Sequence, residues 1–232
     1  MSNSVVVAMD GPSGSGKSST SRGVADRLGL RYLDTGAQFR AMTAWMLRNG
    51  IDVHDPAAVA ENAERPMIVS GTDPLAPSIS VDGQDVAVEI RSDEVTAAVS
   101  PVATVPAVRA RLLDLQRAII TDALASGGIV VEGRDIGSVV WPEAAVKLYL
   151  TADAAARAAR RAAENGVDGA DTVAATEAEL LRRDQIDSSR TTAPLVVPDG
   201  AVHLDTTPYD LAEVIDLVVG IVERTVGSKA AR

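Results

Sequence analysis

Gly11-Pro12-Ser13-Gly14-Ser15-Gly16-Lys17-Ser18 fits the pattern G-x-x-x-x-G-K-[ST] of a phosphate-binding P-loop. The apolar run Ser4–Asp10 precedes it and is typical of a short buried strand. After it, Val24, Ala25 and Leu28 recur at the spacing of one helix face. The sequence therefore predicts a strand, this loop and a helix in that order, which is the context that a working P-loop requires.

The residue types of this loop suit a polyphosphate. Glycines let the backbone curl until several N–H groups point inward, and the start of the helix adds partial positive charge. Lys17 is expected to reach the terminal phosphates, and the Ser18 hydroxyl is expected to bind Mg²⁺ as the metal cofactor. The predicted ATP-binding segment consists of Gly11, Pro12, Ser13, Gly14, Ser15, Gly16, Lys17, Ser18 and Ser19.

Composition limits the class of protein. The chain has 232 residues, of which 46% are apolar, so it can bury a full core; it contains no cysteine, which suits a reducing compartment. We find neither a signal peptide nor an apolar span of membrane length, and we expect a cytoplasmic protein. A net charge of −10 disfavours broad nucleic-acid binding. We expect a monomer whose partners are small nucleotides, without nucleic acid or membrane.

Strand-like and helix-like segments alternate along most of the chain, which predicts a parallel sheet with helices on both faces. Residues 66–88 break this alternation with short strand-like runs and a hairpin signal at Asp82-Gly83, so we expect a small antiparallel insert. Helices are predicted over Ile90–Ser100 and Thr104–Ser126, with breaks at Pro101 and Pro106. The fold class is an α/β three-layer fold of the P-loop NTPase type.

Three motifs follow predicted strands and should meet at one edge of the sheet. They are the P-loop, Asp34 and the block Glu132–Asp135. The chain has four asparagines, and none is followed by lysine, so the guanine-reading motif of GTPases is absent. Nineteen of the 22 basic residues are arginines, which suit bidentate phosphate binding. Phosphoryl transfer to a small molecule is the chemistry that remains.

The chain resembles the bacterial cytidylate kinase family. The resemblance rests on Asp34-Thr35-Gly36-Ala37-Gln38-Phe39-Arg40, Glu132-Gly133-Arg134-Asp135-Ile136-Gly137 and Arg183-Asp184-Gln185-Ile186-Asp187-Ser188-Ser189-Arg190, together with the hairpin insert. It runs from about Ser4 to the C-terminal helix. Thr35, Phe39 and Glu132 depart from the serine, tyrosine and aspartate that are frequent in the family.

The resemblance implies transfer of phosphate from ATP to CMP or dCMP with Mg²⁺. It implies a core (1–36, 101–152 and 188–232), a monophosphate-binding domain (37–100, with the insert at about 66–88) and a lid (153–187). The implied CMP-binding residues are Arg40 and Arg134 for the phosphate, with Asp34 and Thr35 nearby, Ser100, Arg109 and Asp135 for the cytosine, and Arg183 and Asp187 for the sugar. The implied catalytic cations are Lys17, Arg134, Arg190 and, in the lid, Arg157 and Arg161.

The residues by themselves leave alternatives open. Arg40 and Arg109 could be exposed helix arginines, and Ser100 could simply end a helix before Pro101. A kinase of another small metabolite, such as UMP or a shikimate-like acceptor, would also carry a P-loop, although the hairpin insert disfavours it. A non-catalytic nucleotide-binding regulator would not need arginines directed at a transferring phosphate.

Overall fold

The computed structural model describes residues 4–165, 170–190 and 192–230. The strands are β1 (Val5–Asp10), β2 (Arg31–Asp34), β3 (Ile68–Ser70), β4 (Ile79–Val81), β5 (Gln84–Asp85), β6 (Gly128–Glu132), β7 (Val146–Thr151) and β8 (Val202–Asp205). The helices are α1 (Lys17–Leu28), α2 (Thr35–Arg48), α3 (Pro56–Asn62), α4 (Asp93–Thr104), α5 (Pro106–Leu124), α6 (Ala154–Asn165), α7 (Ala170–Ser189) and α8 (Leu211–Ala230).

A five-stranded parallel sheet in the order β2-β6-β1-β7-β8 forms the middle layer. Alternate residues of β1 point to opposite faces, as the period of a strand requires. Val7 packs in an apolar cluster with Val24 of α1 and Val218 of α8, whereas Val6 packs with Ile120 of α5. Helices therefore cover both faces, and the predicted three-layer α/β fold is confirmed.

A second sheet is antiparallel and has the order β3-β4-β5. Its hairpin turns at Asp82 and Gly83, whose φ angles of 51° and 79° both lie in the left-handed region that a tight turn of this kind needs. The Asp82 carboxylate accepts hydrogen bonds from Trp45 Nε1 and Met67 N, each at 2.8 Å. This sheet shares its own apolar cluster with α2, α3 and α4.

The structure corrects one local prediction and adds two features. Thr35 begins α2, because the Asp34 carboxylate caps the helix by accepting from Ala37 N at 2.9 Å. Pro101 does not end a helix but lies inside α4, whose buried face outweighs the one backbone bond that proline removes. A π-helical turn over Ile136–Val140 was not predicted at all.

The segment predicted as a lid contains α6 and α7. Between these two helices, residues 166–169 lie outside the described residues. In the part of the chain that the structure covers, no helix combines the length and the apolarity needed to cross a bilayer.

Candidate active site

The P-loop joins β1 to α1 as predicted, and two kinds of constraint require its glycines. Gly14 and Gly16 have φ angles of 76° and 86°, which place them in the left-handed region. Gly11 faces the backbone of β7 so closely that a Cβ atom there would lie 2.0 Å from the carbonyl oxygen of Leu150. Side chains at these positions would push the loop away from the sheet.

Lys17 follows the last glycine of the P-loop, and its side chain is buried. Its Nζ donates to the Pro12 carbonyl at 2.6 Å and lies 3.4 Å from Ser15 Oγ. Burial, and next the nearby charge of Arg134, lower the pKa of Lys17 to about 7. An anion placed against the loop would favour the charged form of the Lys17 amine. Binding of a phosphate and protonation of Lys17 would therefore stabilise each other.

Glu132, at the end of β6, is held beside Ser18. Ser18 Oγ donates to Glu132 Oε2 at 2.9 Å, and the Tyr32 hydroxyl donates to the other carboxylate oxygen. Burial, and next the charge of Asp34, raise the pKa of Glu132 to about 7. A hydroxyl and a carboxylate next to a phosphate loop are the hard oxygen donors that Mg²⁺ prefers, so this pair fits that ion.

One cavity of about 580 Å³ opens beside the P-loop. From the P-loop it is lined by Ser13, Gly14, Gly16, Lys17, Ser18 and Ser19. All nine residues that the resemblance implies for CMP also line it: Asp34, Thr35, Arg40, Ser100, Arg109, Arg134, Asp135, Arg183 and Asp187. Arg161 and Arg190 are further lining residues, whereas Gly11, Pro12, Ser15 and Arg157 are not.

At one end of the cavity, Arg109 and Asp135 form a buried ion pair. The Arg109 guanidinium also donates to the Ala103 carbonyl at 3.2 Å and lies 5.3 Å from the centre of the Phe39 ring. Ser100 is buried on the same wall. Burial raises the pKa of Asp135. The buried position of Arg109 rules out the alternative that it is an exposed helix arginine.

Arg40 points into the cavity from α2. Its Nη1 donates to Thr96 Oγ1 at 2.9 Å and to the Ile90 carbonyl at 3.2 Å. Burial, and next the charges of Arg183 and Arg161, lower the pKa of Arg40 to about 10. Neighbouring cations therefore oppose the charge of Arg40, and an anion between them would relieve this repulsion.

Two more arginines have buried donors that make no hydrogen bond in the described part of the chain. Arg183 Nε and Arg190 Nη2 are buried and have no hydrogen-bond acceptor among the described residues. Arg190 Nη1 contacts Asp187 at 3.3 Å, and the same carboxylate accepts from Arg134 Nε at 2.9 Å. Unsatisfied buried donors destabilise a fold, so a ligand with several acceptor oxygens fits this corner.

Arg157 lies behind the P-loop instead of facing the cavity. It donates to the Ser13 carbonyl at 2.8 Å and to Asp184 Oδ2 at 2.5 Å, and Asp184 Oδ1 accepts from Ser13 N at 3.0 Å. This cluster joins α6 and α7 to the loop. The resemblance implies that Arg157 lies close to ATP; its guanidinium binds the P-loop in the structure, but Arg157 is not among the residues that line the cavity.

Sequence reasoning missed three participants in this region: Asp10, Tyr32 and Asp184. The sequence could have indicated Asp10, because it is a charged residue at the end of an apolar run, directly before the P-loop. It is fully buried and accepts from the backbone N–H groups of Ile136 and Gly137. Tyr32 and Asp184 had no such signal, because their partners are 100 and 171 residues away.

The family model and the relatives that this chain matches carry the same name. A family model described as "Cytidylate kinase" matches residues 7–224. A cytidylate kinase of Streptomyces avermitilis is 56% identical over 225 residues, covering 97% of this chain and 95% of that protein. The cytidylate kinase of Streptomyces coelicolor is 58% identical over 219 residues, covering 94% and 93%. That of Rhodococcus opacus is 50% identical over 225 residues, covering 97% of each chain.

Proposed function

This chain belongs to the cytidylate kinase family, and we propose that it transfers the γ-phosphoryl group of ATP to CMP or dCMP, giving ADP and CDP or dCDP. One observation carries the proposal. A single cavity is lined by the P-loop and by all nine residues that the family resemblance implies for CMP. Donor and acceptor phosphates would therefore meet in one cavity.

In this proposal the chain contributes position and charge, because phosphoryl transfer needs little covalent help from a protein. Lys17, at the P-loop, lies against the phosphates of ATP. Arg40 and Arg134 bind the phosphate of CMP, and Arg183 and Asp187 contact its sugar. Arg190, whose buried Nη2 makes no hydrogen bond within the described residues, faces the charge that develops between the two nucleotides. Fixed donors in a buried site stabilise that charge without having to reorganise.

Base selection is assigned to Asp135 and Arg109. Cytosine has an amino donor at position 4, where uracil has a carbonyl acceptor. The Asp135 carboxylate accepts from the amino group and repels the carbonyl. Arg109 has only donors, which suit O2 and N3 of cytosine, whereas uracil carries a hydrogen on N3. UMP would thus leave buried polar groups unpaired.

We propose Mg²⁺ as the cofactor, held at the Ser18 hydroxyl. The Glu132 carboxylate lies next to that hydroxyl, 2.9 Å away. The ion would neutralise charge on the β- and γ-phosphates. Tyr32 and Ser18 orient the two carboxylate oxygens of Glu132, and this arrangement fixes the direction in which the acid faces the phosphate loop.

We also propose the division into a core (1–36, 101–152 and 188–232), a monophosphate-binding domain (37–100) and a lid (153–187). The antiparallel sheet shares one apolar cluster with α2, α3 and α4, which supports the second unit. Val108 and Leu112 of α5 belong to the same cluster and connect this unit to the core. Closure of the lid over ATP would exclude water, which otherwise competes as phosphate acceptor.

The remaining proposals are a cytoplasmic, monomeric enzyme that does not bind nucleic acid. The net charge of −10 disfavours binding to nucleic acid, and a chain without cysteine suits a reducing compartment. Light scattering of the purified protein tests the oligomeric state, and retention on heparin at low salt tests nonspecific polyanion binding.

A coupled ADP-release assay over CMP, dCMP, UMP, AMP and GMP tests the proposed function. CMP and dCMP should be used far better than the other three. Comparable rates with UMP and CMP would contradict the assignment of base selection. No ADP release above the ATPase background with any of the five would contradict the kinase assignment itself.

A further inference from the structure

The buried carboxylate of Asp10 takes no part in the transfer described above, yet it contacts the segment that carries two CMP residues. Asp10 is the last residue of β1 and is 0% exposed. Its Oδ1 accepts from Ile136 N at 2.7 Å, and its Oδ2 accepts from Gly137 N at 2.8 Å. Arg134 and Asp135 directly precede these two donors. One carboxylate therefore connects the start of the P-loop to the proposed CMP site.

Aspartate before a helix normally caps that helix with its own side chain. Asp55 does so in this chain by accepting from Ala57 N and Ala58 N of α3, at 2.9 and 3.3 Å. Asp135 precedes the π-helical turn in the equivalent position, yet its side chain makes no capping bond. The N–H of Gly137, which such a cap would use, already donates to Asp10.

The segment after β6 has further ties to the end of β1. Gly133 N donates to the Met9 carbonyl at 3.0 Å, and Arg134 Nη1 donates to the Gly11 carbonyl at 3.0 Å. Along the chain, Asp10 lies between these two acceptors and binds the same segment through its side chain. Burial raises the pKa of Asp10 to about 6, so at neutral pH the ionised carboxylate offers acceptors to both N–H groups.

We propose that Asp10 is a positioning residue for base selection: it accepts from the Gly137 N–H that Asp135 would otherwise cap, so that the Asp135 carboxylate stays directed at Arg109 and at the cytosine. The inference rests on the proposed function, because it concerns how that site discriminates between bases. Asp10 itself does not line the cavity. It acts through Asp135, and its removal should alter selectivity only while Asp135 is present.

The test compares Asp10→Asn with wild type by the CMP/UMP ratio of kcat/KM. The amide keeps the shape and one acceptor but presents N–H to Gly137 N, so that Asp135 is free to cap the turn. The ratio should fall by about tenfold or more, the loss expected when a hydrogen bond to a charged group is displaced. Asp10→Ser, which also offers fewer acceptors, should lower the ratio in the same direction.

The matched control is Asp55→Asn, because Asp55 also accepts from two backbone N–H groups but caps α3, whose residues do not line the cavity. This variant should keep the wild-type ratio. Thermal melting of each variant sets an assay temperature at which the protein is folded. A wild-type ratio in both Asp10 variants would overturn the inference and leave the kinase assignment intact.

A double-mutant cycle identifies the route of the effect. In an Asp135→Ala background, Asp10→Asn should change the CMP/UMP ratio by no more than about twofold, since the residue through which it acts is gone. An equally large change with and without Asp135 would overturn the proposal, because Asp10 would then influence selectivity by another route. If wild type itself fails to discriminate CMP from UMP, the proposed base selection fails first.

Discussion

Replacing Asp135 by alanine should lower both stability and selectivity, for reasons that the structure separates. The Arg109 and Asp135 side chains are 10% and 7% exposed, so the variant leaves the Arg109 guanidinium buried without this counter-charge, in contact with the Ala103 carbonyl and the Phe39 ring. Breaking such a pair from one side costs about 3–5 kcal/mol of unfolding free energy. Losing one hydrogen bond to a charged group costs about 1.5–3 kcal/mol of discrimination, a factor of about 10–150 in the CMP/UMP ratio of kcat/KM.

Urea denaturation and a CMP/UMP competition assay measure the two effects independently. Arg109→Met added to Asp135→Ala should recover most of the stability, because no unpaired charge then remains buried, while selectivity stays low. Asp135→Ala with an unchanged urea midpoint would refute the account of the ion pair. An unchanged CMP/UMP ratio would refute the account of base selection, whatever happens to stability.

Three further predictions concern the phosphate loop, the acceptor phosphate and the lid. Lys17→Met should reduce turnover by roughly 10²–10³. Because the pKa of Lys17 is lowered from 10.5 to about 7, the unfolded wild-type chain binds the proton more tightly, so urea titrations should show stability rising with pH between 7 and 10 in wild type but not in Lys17→Met. Arg40→Ala should raise KM for CMP and UMP by a similar factor, since phosphate carries no base identity; steady-state kinetics with unequal factors would contradict this. Hydrogen exchange in 153–187 should slow when ATP analogue and CMP are both bound, and unchanged exchange would contradict lid closure.

Strong local signals made the parallel sheet and the P-loop predictable. The apolar run of β1 and the glycine pattern of Gly11–Ser18 need only neighbouring residues to fix their structure. The rule that ligands lie at the carboxyl ends of parallel strands then brought Asp34 and the block Glu132–Asp135 to the same edge. The family resemblance added residues, such as Ser100, that no local pattern would have selected.

The errors arose where tertiary contacts override local preference. Pro101 is normally a helix breaker, but the buried face of α4 keeps the helix continuous. The contacts of Arg157 had no local signal, because its partners Ser13 and Asp184 come together only in the folded chain. The π-helical turn after Asp135 had none either, because its Ile136 N–H donates to Asp10, 126 residues away. No window of sequence contains both members of these pairs.

The central claim is that ATP and CMP bind side by side in the one cavity that the P-loop and Arg40, Arg109 and Asp135 line. Calorimetry with adenosine and cytidine joined through five phosphates tests it most directly, because that molecule must occupy both nucleotide sites at once. The account predicts one molecule bound per chain, far more tightly than ATP or CMP alone and more tightly than the uridine counterpart. Affinity no better than that of ATP, or equal affinity for the cytidine and uridine compounds, would contradict it.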